Sequence, residues 1–569
     1  MTADSDIRFR FENREISSPA GVSLAAALAG AGEYGLRAVD ERERRGVFCG
    51  IGVCQECAVD VEGQGRVRAC MTTAAESMQV RRAERLVAPM SSQADASPEA
   101  ATVSTPDVLV IGGGAAGLTA AALLAENGTD VVLLDERGKP GGQYYKQPAG
   151  ERVHASLAED AQILEGGRLV ERARASGARI VEAAEVWGAF APGEFIALHD
   201  GVSVNYRPRR TIVATGAYER GLPLPGWTLP GVMTSGAAQT MLKSYGELPG
   251  QRVLVAGNGP LNLQIAVELD RAGADVVAVT ELAQPFYRRP MAAIGMLGND
   301  VALSLRGLRT VAALRSAGIP LRFGHGVESI EASANGLKAW IGRLDDRRLL
   351  RREAVEVDVV CMGYGFLPSN EILRNLGCRH SFDKSRGQLT VDRSGDCETS
   401  VPGIYAIGDC CGLGGAPAAR EEGTIAAAAI LADVTGSDAL TAEEQSARRR
   451  LRSHRGFQAA LWRMFEAPRL QSELADEGTV VCRCESVRLG DIREAIAAGD
   501  QSIGAIKRRT RLGMGACQGR YCAAVAADLL ARETGEGVGE YSFFAPRVPV
   551  KPVRISDIAR ARPKPDASK

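Results

Sequence analysis

The sequence of 569 residues is poor in histidine, balanced in charge and without a long apolar run. Its formal net charge of -1 gives no support to nucleic-acid or membrane-surface binding. No apolar run reaches about 18 residues, so we expect no integral membrane segment. The N-terminus has no basic segment followed by an apolar one, and we therefore expect a cytoplasmic protein. The five histidines form no recognisable catalytic or metal-binding motif.

The thirteen cysteines do not suggest a disulfide framework. In a reducing compartment cysteine favours metal ligation, and eight of these residues fall into two ordered groups. The others are scattered and are interpreted as small buried apolar residues: Cys361, Cys378, Cys397, Cys410 and Cys411.

The first cysteine group lies in a glycine-rich loop and has the spacing C-x4-C-x2-C, with a fourth cysteine returned by a predicted hairpin. This spacing is typical of plant-type [2Fe-2S] ferredoxins. The predicted ligands are Cys49, Cys54, Cys57 and Cys70. A zinc site is the alternative, although zinc loops usually pair their cysteines in two separated C-x2-C units. We predict a β-grasp ferredoxin-like domain over residues 1–88, followed by a flexible linker over residues 89–106.

A flavoprotein core is predicted over residues 107–440. A buried strand opens into a helix through Gly112-Gly-Gly114-Ala-Ala-Gly117, and a second strand ends at Asp135. This is the pattern of a dinucleotide-binding fold, in which glycines admit the pyrophosphate and the acid binds a ribose hydroxyl. Two later segments, around Thr215 and Asp409, resemble recurring FAD-site motifs. The predicted FAD-binding residues are Gly112, Gly114, Gly117, Asp135, Glu136, Gly142, Gln143, Thr215, Gly216, Gly408 and Asp409.

A second dinucleotide-binding motif lies in a subdomain predicted over about residues 250–345. Gly257 and Gly259 follow a strand, and Glu281 ends the next one, which is the layout of a nicotinamide-nucleotide site. Asn262 replaces the third glycine, so two interpretations stay open: a working NAD site, or a nucleotide fold kept for structure or for another ligand. Glu281 favours NAD over NADP, while the nearby Arg288 and Arg289 keep NADP open.

No dithiol follows the first glycine motif. Disulfide reductases place a C-x4-C pair in this region, whereas this chain has Gly141-Gly-Gln-Tyr-Tyr-Lys-Gln147. A dithiol mechanism is therefore not expected.

The second cysteine group lies in a small helical domain predicted over residues 479–540, after a helical connector over residues 441–478 and before a surface or disordered tail over residues 541–569. Its spacing, C-x-C and then C-x4-C, resembles that of the bacterioferritin-associated-ferredoxin-like (BFD-like) [2Fe-2S] domain. The predicted ligands are Cys482, Cys484, Cys517 and Cys522. Zinc is again the alternative.

This order of parts resembles the alpha subunits of heteromeric amino- and imino-acid dehydrogenases. That family includes opine oxidases, D-hydroxyproline dehydrogenase, hydrogen cyanide synthase and, more distantly, heterotetrameric sarcosine oxidase. The resemblance implies FAD and two [2Fe-2S] clusters on this multidomain α/β chain. It also implies that substrate is oxidised on a partner beta subunit of the D-amino-acid-oxidase type, with its own FAD, before electrons pass through this chain to an acceptor.

Two functions compete at this stage: an electron-transfer subunit of such a dehydrogenase, and a self-sufficient NAD(P)H-dependent ferredoxin-type reductase. A third possibility is a non-catalytic scaffold that binds zinc and a structural nucleotide. If the first holds, we expect the C-terminal cluster to be fixed against the core and the N-terminal cluster to dock through its linker.

Overall fold

A mixed five-stranded sheet crossed by one helix forms the N-terminal domain of the computed structural model, which describes residues 6–84, 102–150 and 153–561. The elements of this domain are β1 (Ile7–Phe11), β2 (Arg14–Ser18), α1 (Leu24–Gly30), β3 (Arg37–Ala38), β4 (Arg44–Arg45), β5 (Ala58–Val61), β6 (Gly65–Arg68) and β7 (Gln79–Arg82). The strand order is β2-β1-β7-β5-β6, with β1 and β7 parallel. Phe9 and Phe11 alternate toward the core and pack near the apolar α1, which Ser23 caps. The expected opening hairpin and helix are confirmed.

The core begins with a β-α-β unit and a smaller antiparallel sheet. Its first elements are β8 (Thr102–Ser104), β9 (Val108–Ile111), α2 (Ala115–Glu126), β10 (Val131–Leu134), α3 (Ala161–Ala175), β11 (Arg179–Val181), β12 (Glu185–Ala191), β13 (Glu194–His199), β14 (Val202–Tyr206), β15 (Arg210–Val213) and β16 (Ala217–Glu219). All residues of β9 and β10 are buried, as expected for strands covered on both faces.

The second dinucleotide-type subdomain follows, and the chain then returns to the first. The elements of this part are β17 (Val232–Thr234), α4 (Ser235–Tyr245), β18 (Arg252–Gly257), α5 (Pro260–Arg271), β19 (Asp275–Glu281), α6 (Pro290–Asn299), α7 (Val301–Ser316), β20 (Leu321–Phe323), β21 (His325–Ser333), β22 (Gly336–Asp345), β23 (Arg348–Val357), β24 (Val359–Gly363), β25 (Phe366–Pro368), α8 (Glu371–Asn375), β26 (His380–Asp383), β27 (Gln388–Val391), β28 (Ile404–Ala406), α9 (Gly415–Thr435) and α10 (Thr441–Met464).

Two parallel sheets organise the core. The first has the order β11-β10-β9-β15-β28 and the second the order β17-β24-β18-β19-β20. Ligands of such sheets bind beyond the carboxyl ends of the strands. The predicted nucleotide-binding residues lie at those ends. The second sheet includes β17 and β24, so it extends on both sides of the predicted 250–345 subdomain.

The C-terminal part contains a short hairpin and three helices, with a further helix near the end of the described chain. Its elements are β29 (Val480–Cys482), β30 (Val487–Arg488), α11 (Leu489–Ala497), α12 (Ile503–Thr510), α13 (Ala523–Thr534) and α14 (Ile555–Arg560). The three helices enclose an apolar cluster that includes Ile492, Ile506 and Val525. No helix within the described residues is both long and apolar enough to cross a membrane.

The structure differs from the expected segment boundaries at three places. The predicted linker contains a strand, because β8 pairs in parallel with β14, and residues 89–101 lie outside the described residues. The connector is helical only as far as Met464. The tail is ordered over residues 541–561, where Val550 is buried and its N–H donates to the carbonyl of Trp187. The apolar stretch around Val550 is too short to show helical or strand periodicity, so the sequence did not predict that it packs against the core.

The N-terminal domain also packs against the rest of the chain instead of standing apart. Phe48 and Cys54 belong to the same apolar cluster as Trp227 of the core and Tyr521 of the C-terminal domain. Gly50 has a φ of +65°, and a Cβ there would lie 2.9 Å from the Cα of Ala237 in α4. The expectation that only the C-terminal cysteine group is fixed against the core does not match this structure.

Candidate functional site

The first glycine loop forms a cradle at the start of α2. A Cβ on Gly112 would lie 2.3 Å from the carbonyl oxygen of Ala214, and one on Gly117 would lie 2.0 Å from that of Gly112. Gly114 is the N-cap, and no side chain caps the helix. The first backbone N–H groups of α2 therefore have no side-chain partner and are available to a pyrophosphate. The loop fits a dinucleotide.

The acids after β10 lie beside this loop. Asp135 is buried, and its carboxylate accepts hydrogen bonds from the N–H groups of Gly113 at 2.7 Å and Arg137 at 2.8 Å. Burial raises the pKa of Asp135, although these N–H groups act in the opposite direction. Glu136 instead forms an ion pair with Lys551 of the C-terminal tail. The C-terminal tail, which was expected to lie at the surface or to be disordered, thus borders the adenosine end of the predicted flavin site.

The Gly141-Gly142-Gln143 segment packs directly on the glycine loop. The N–H of Gly141 donates to the carbonyl of Gly113, and a Cβ on Gly142 would lie 2.8 Å from the Cα of Gly114. The carbonyl of Gln143 accepts from the Nζ of the buried Lys146 at 2.6 Å. Burial lowers the pKa of Lys146 to about 7.

The loops after β15 and β28 complete this edge of the sheet. Thr215 donates through Oγ1 to the carbonyl of Ser369 at 2.6 Å, and the carbonyl of Gly216 accepts from the N–H of Ser369. Oδ1 of Asp409 accepts from the N–H groups of two glycines in the following turn, each at 2.9 Å. Burial raises the pKa of Asp409. These residues lie at the carboxyl ends of the parallel strands, where the FAD interpretation requires them.

Glu422 is a residue of this site that the sequence did not reveal. Its carboxylate is buried, accepts from the N–H of Gly408 at 2.8 Å and forms a two-point ion pair with Arg393. It therefore fixes the loop that presents Asp409. The sequence showed only two adjacent acids, Glu421 and Glu422, in the first half of α9, and nothing there marked Glu422 as the buried one.

The second glycine loop repeats the geometry of the first. Oε2 of Glu281 accepts from the N–H of Gly259 at 2.8 Å, as Asp135 does from Gly113. Oε1 of Glu281 accepts from Asn258 Nδ2 at 2.6 Å and from the N–H of Ala283 at 2.9 Å. Glu281 is fully buried, and burial raises its pKa to about 7.

Asn262, which replaces the third glycine, has a defined place. Its Nδ2 donates to the carbonyl of Gly363 at 2.8 Å, and its Oδ1 accepts from Ser235 Oγ at 2.8 Å. A Cβ on Gly363 would lie 2.1 Å from Asn262 Oδ1, so the missing glycine is compensated by a glycine at the end of the neighbouring strand. Helix α5 therefore packs closely on the sheet despite the substitution.

The segment after α10 closes over the second loop. Asn258 Nδ2 also donates to the carbonyl of Phe465 at 2.9 Å. Arg289, one of the two arginines that kept NADP open, donates to the carboxylate of Glu466 at 2.7 Å and to two carbonyls of the same segment. Arg289 is therefore engaged in holding the connector, while Arg288 is exposed.

The first cysteine group is arranged in two pairs of buried thiols. Cys49 pairs with Cys54, and Cys57 pairs with Cys70. Burial opposes ionisation of Cys49, but the thiol of Cys54 and the surrounding backbone N–H groups outweigh it and lower its pKa to about 6. Backbone N–H groups aimed at sulfur are what a cluster loop supplies.

The second group is likewise paired, Cys482 with Cys522 and Cys484 with Cys517. Hydrogen bonding to Cys522 lowers the pKa of Cys482 to about 7. Zinc needs four ligands around one point, whereas a two-iron cluster takes two thiolates at each iron. The paired thiols fit a two-iron cluster.

The two cysteine groups adjoin each other. The Sγ of Cys484 lies 3.9 Å from the carbonyl oxygen of Cys54, although 430 positions separate the two residues. The remaining cysteines are buried, and all thirteen are free, which confirms their assignment as small apolar residues. The structure thus joins parts that the sequence showed only as separate motifs.

Family models match three parts of the chain. Residues 4–85 match the 2Fe-2S iron-sulfur cluster binding domain. Residues 106–423 match the pyridine nucleotide-disulphide oxidoreductase family. Residues 477–562 match the sarcosine oxidase A3 domain.

Two curated relatives match nearly along their whole length, and a third matches over less than half of its own. Hydrogen cyanide synthase subunit HcnB of Pseudomonas aeruginosa is 36% identical, over 79% of this chain and 97% of its own. An opine oxidase subunit of Rhizobium meliloti is 33% identical, over 80% of this chain and 98% of its own. Sarcosine oxidase subunit alpha of a Corynebacterium species is 26% identical, and the match covers 44% of that longer protein.

A solved structure has the same overall fold. L-proline dehydrogenase from P. horikoshii aligns over 98% of both chains with a TM-score of 0.72 and 21% identity. The extent of the family-model match and the identity to the curated relatives establish the class. The chain belongs to the pyridine nucleotide-disulphide oxidoreductase family, in the group that includes hydrogen cyanide synthase subunit HcnB and the opine oxidase subunit, and it is an FAD-dependent oxidoreductase with a 2Fe-2S domain.

Proposed function

We propose that this chain is the electron-transfer subunit of a dehydrogenase that oxidises an amino or imino acid on a partner subunit. The substrate class is an opine, D-hydroxyproline, glycine or a sarcosine-like compound; opine oxidase and sarcosine oxidase are among the relatives' names. The partner is a beta subunit of the D-amino-acid-oxidase type that carries its own FAD. The single observation that carries the proposal is the contact between the two cysteine groups, with Cys484 Sγ at 3.9 Å from the Cys54 carbonyl.

The chain's own residues supply a site for each electron carrier. The cradle between Gly112 and Gly117 would hold the FAD pyrophosphate, with Asp135 at the ribose and Asp409 at the ribityl chain. The four thiols around Cys49 would hold one [2Fe-2S] cluster and those around Cys482 a second. A flavin accepts two electrons and can release them singly, and each cluster carries one.

An exposed apolar face supports the presence of a partner. Helices α6 and α7 and the turn before them expose seven large apolar side chains by 43% to 79%. These residues are Tyr287, Met291, Ile294, Leu297, Val301, Leu305 and Leu308. Soluble monomers rarely leave such a patch uncovered, and we propose it as the surface that the beta subunit covers. We refer to it below as the α6–α7 face.

A self-sufficient NAD(P)H-dependent reductase is the second candidate. The observation that favours it is the hydrogen bond between Glu281 and Gly259, which repeats the acid-to-loop contact of the first site. The contact of Asn258 with the Phe465 carbonyl weighs against it, because it places the connector over the same loop. If the second loop binds a nucleotide, an NAD or another nucleotide without a 2′-phosphate suits Glu281 better.

Two experiments separate these functions. Anaerobic isolation of the chain from its native cells should yield a complex with a second flavoprotein. Mixing the purified chain with NADH should leave its flavin oxidised over seconds, with dithionite as the positive control for reduction. Recovery as a lone, active reductase with rapid flavin bleaching by NADH would contradict the proposal.

A further inference from the structure

The residues next to the predicted cluster ligands interlock across the domain boundary. Arg483 lies between Cys482 and Cys484 in the sequence, Phe48 precedes Cys49, and Glu56 precedes Cys57. These three side chains are buried, and Arg483 contacts the other two. The boundary between the two domains is therefore built from the neighbours of the ligands on both sides.

The guanidinium of Arg483 makes four contacts. Its guanidinium lies over the ring of Phe48 at 4.0 Å and over that of Trp227 at 4.8 Å. Its Nη1 donates to the Trp227 carbonyl at 2.7 Å, and its Nε lies 3.3 Å from Glu56 Oε2. Trp227 in turn donates through Nε1 to the carbonyl of Val480 at 2.6 Å. A planar guanidinium that stacks and donates at once is not reproduced by lysine.

The buried charges at this boundary do not balance. Glu56 is shared by Arg483, by Arg37 at 2.7 Å and by Arg45 at 3.5 Å. Arg45 has a second acidic contact, to Glu43 at the rim. Arg45 Nε and Nη2, Arg483 Nε and Glu56 Oε2 are all buried without a hydrogen-bond partner, so the ionic contacts of Glu56 Oε2 with the two arginines are not completed by hydrogen bonds. Positive charge buried in excess is costly unless a nearby anion compensates it.

The cysteine groups on either side would provide that anion. Two ferric ions, two sulfides and four thiolates sum to a charge of about -2, and reduction adds one more negative charge. Arg483 lies between Cys482 and Cys484 in the sequence and contacts Phe48 and Glu56, the neighbours of Cys49 and Cys57, so its charge is close to both groups.

We propose that Arg483 is a positioning residue shared by both [2Fe-2S] sites, whose charge stabilises the reduced form of each cluster and whose stacking holds the two clusters as a directly coupled pair. With a cluster bound in each group, an electron lost by one would be gained by the other. The inference rests on the proposed function, since it requires a cluster in each cysteine group.

The test is a redox titration of the anaerobically purified full chain, followed by electron paramagnetic resonance. Arg483→Gln should lower both midpoint potentials, with a reduction equilibrium at least tenfold less favourable for each cluster, which is about 59 mV for a one-electron couple. Arg483→Lys should keep both midpoint potentials close to those of the unaltered chain, because it keeps the charge. Arg493→Gln is the matched control, since Arg493 is an exposed arginine of the same domain paired with Glu477.

A shift of one potential alone, no shift, or equal shifts in the Gln and Lys variants would overturn the inference. If Arg483→Gln does not fold, the unaltered chain still tests whether the two clusters are coupled. With both clusters reduced, their spectra should show mutual spin-spin splitting, and two independent signals would refute the coupling. A chain with a single two-iron signal would instead refute the proposed function.

Discussion

Among single residues, Glu281 combines complete burial with a pKa near neutrality. Its pKa rises from 4.5 to about 7 because burial disfavours the carboxylate. Between pH 4.5 and about 7 the folded chain keeps a proton that the unfolded chain has lost. The free energy of unfolding therefore decreases as the pH rises through this range, and the burial of this carboxylate lowers it no further above about pH 7. Glu281→Gln removes the titrating carboxyl, so between pH 5 and pH 8 the free energy of unfolding should change by up to about 3 kcal/mol in favour of the variant, relative to the unaltered chain.

Urea unfolding followed by circular dichroism at both pH values measures this difference. Glu331→Gln, at an exposed position of the same subdomain, is the control and should change neither value. An equal effect of Glu281→Gln at both pH values would show that titration of this carboxyl is not the cause.

Gly117 tests the cradle at the same scale. Gly117→Ala would place a Cβ 2.0 Å from the Gly112 carbonyl oxygen, which lies in the backbone and yields only if the loop moves. We expect a loss of bound FAD and a destabilisation of about 1–3 kcal/mol or more, as for an overpacked core. The ratio of flavin to protein absorbance measures the loss of bound FAD. Gly138→Ala is the control, because nothing lies within 4 Å of its Cβ position. Full flavin content in Gly117→Ala would contradict the proposed pyrophosphate site.

Among the elements, the C-terminal segment around Val550 packs as part of the core. Val550 is 1% exposed, whereas Ile555 at the start of α14 is 85% exposed. Val550→Asp would bury a charge with no partner and should lower the free energy of unfolding by about 3 kcal/mol or more. Ile555→Asp should have little effect. Equal denaturation curves for the two variants would show that the segment does not support the core.

Helices α6 and α7 allow the proposed partner surface to be tested. The double change Met291→Asp and Leu308→Asp places charges on two residues exposed by 76% and 62%. Because both are exposed, the fold and flavin content should persist, while co-purification with the second flavoprotein should be lost. Leu164→Asp, at a 48% exposed position on α3, is the matched control. Retention of the partner by the double variant would place its binding surface elsewhere.

For the whole molecule, the two cysteine groups should load separately although they adjoin. Cys57→Ser and Cys522→Ser each remove one ligand from a different group and should each halve the iron content, abolish one cluster signal and leave FAD bound. Iron analysis with an absorption spectrum measures both quantities. Loss of flavin together with either cluster would show that the sites depend on one another, and unchanged iron would refute the ligand assignment.

Local spacing explains what the sequence could predict about this molecule. The cysteine groups, Gly112 to Gly117 and the acid after β10 are close in the chain, and each spacing reports a local geometry. Arg483, Glu56 and Glu422 were not predicted, because their roles depend on partners that lie outside their own segments of the sequence. Asn262 was identified as a departure from the fingerprint, but its compensation by Gly363 depends on the pairing of β18 with β24, which no local pattern contains.

The contact between Cys54 and Cys484 also bears on the order in which the protein matures. The N-terminal cysteine loop leaves the ribosome first, yet the residue that covers its inner side, Arg483, is made hundreds of positions later. Until the C-terminal domain folds, Phe48 and Glu56 lack the contacts that Arg483 makes with them, so this side of the cysteine loop is uncovered. We therefore expect the N-terminal cysteine loop to accept its cluster before the C-terminal domain docks against it.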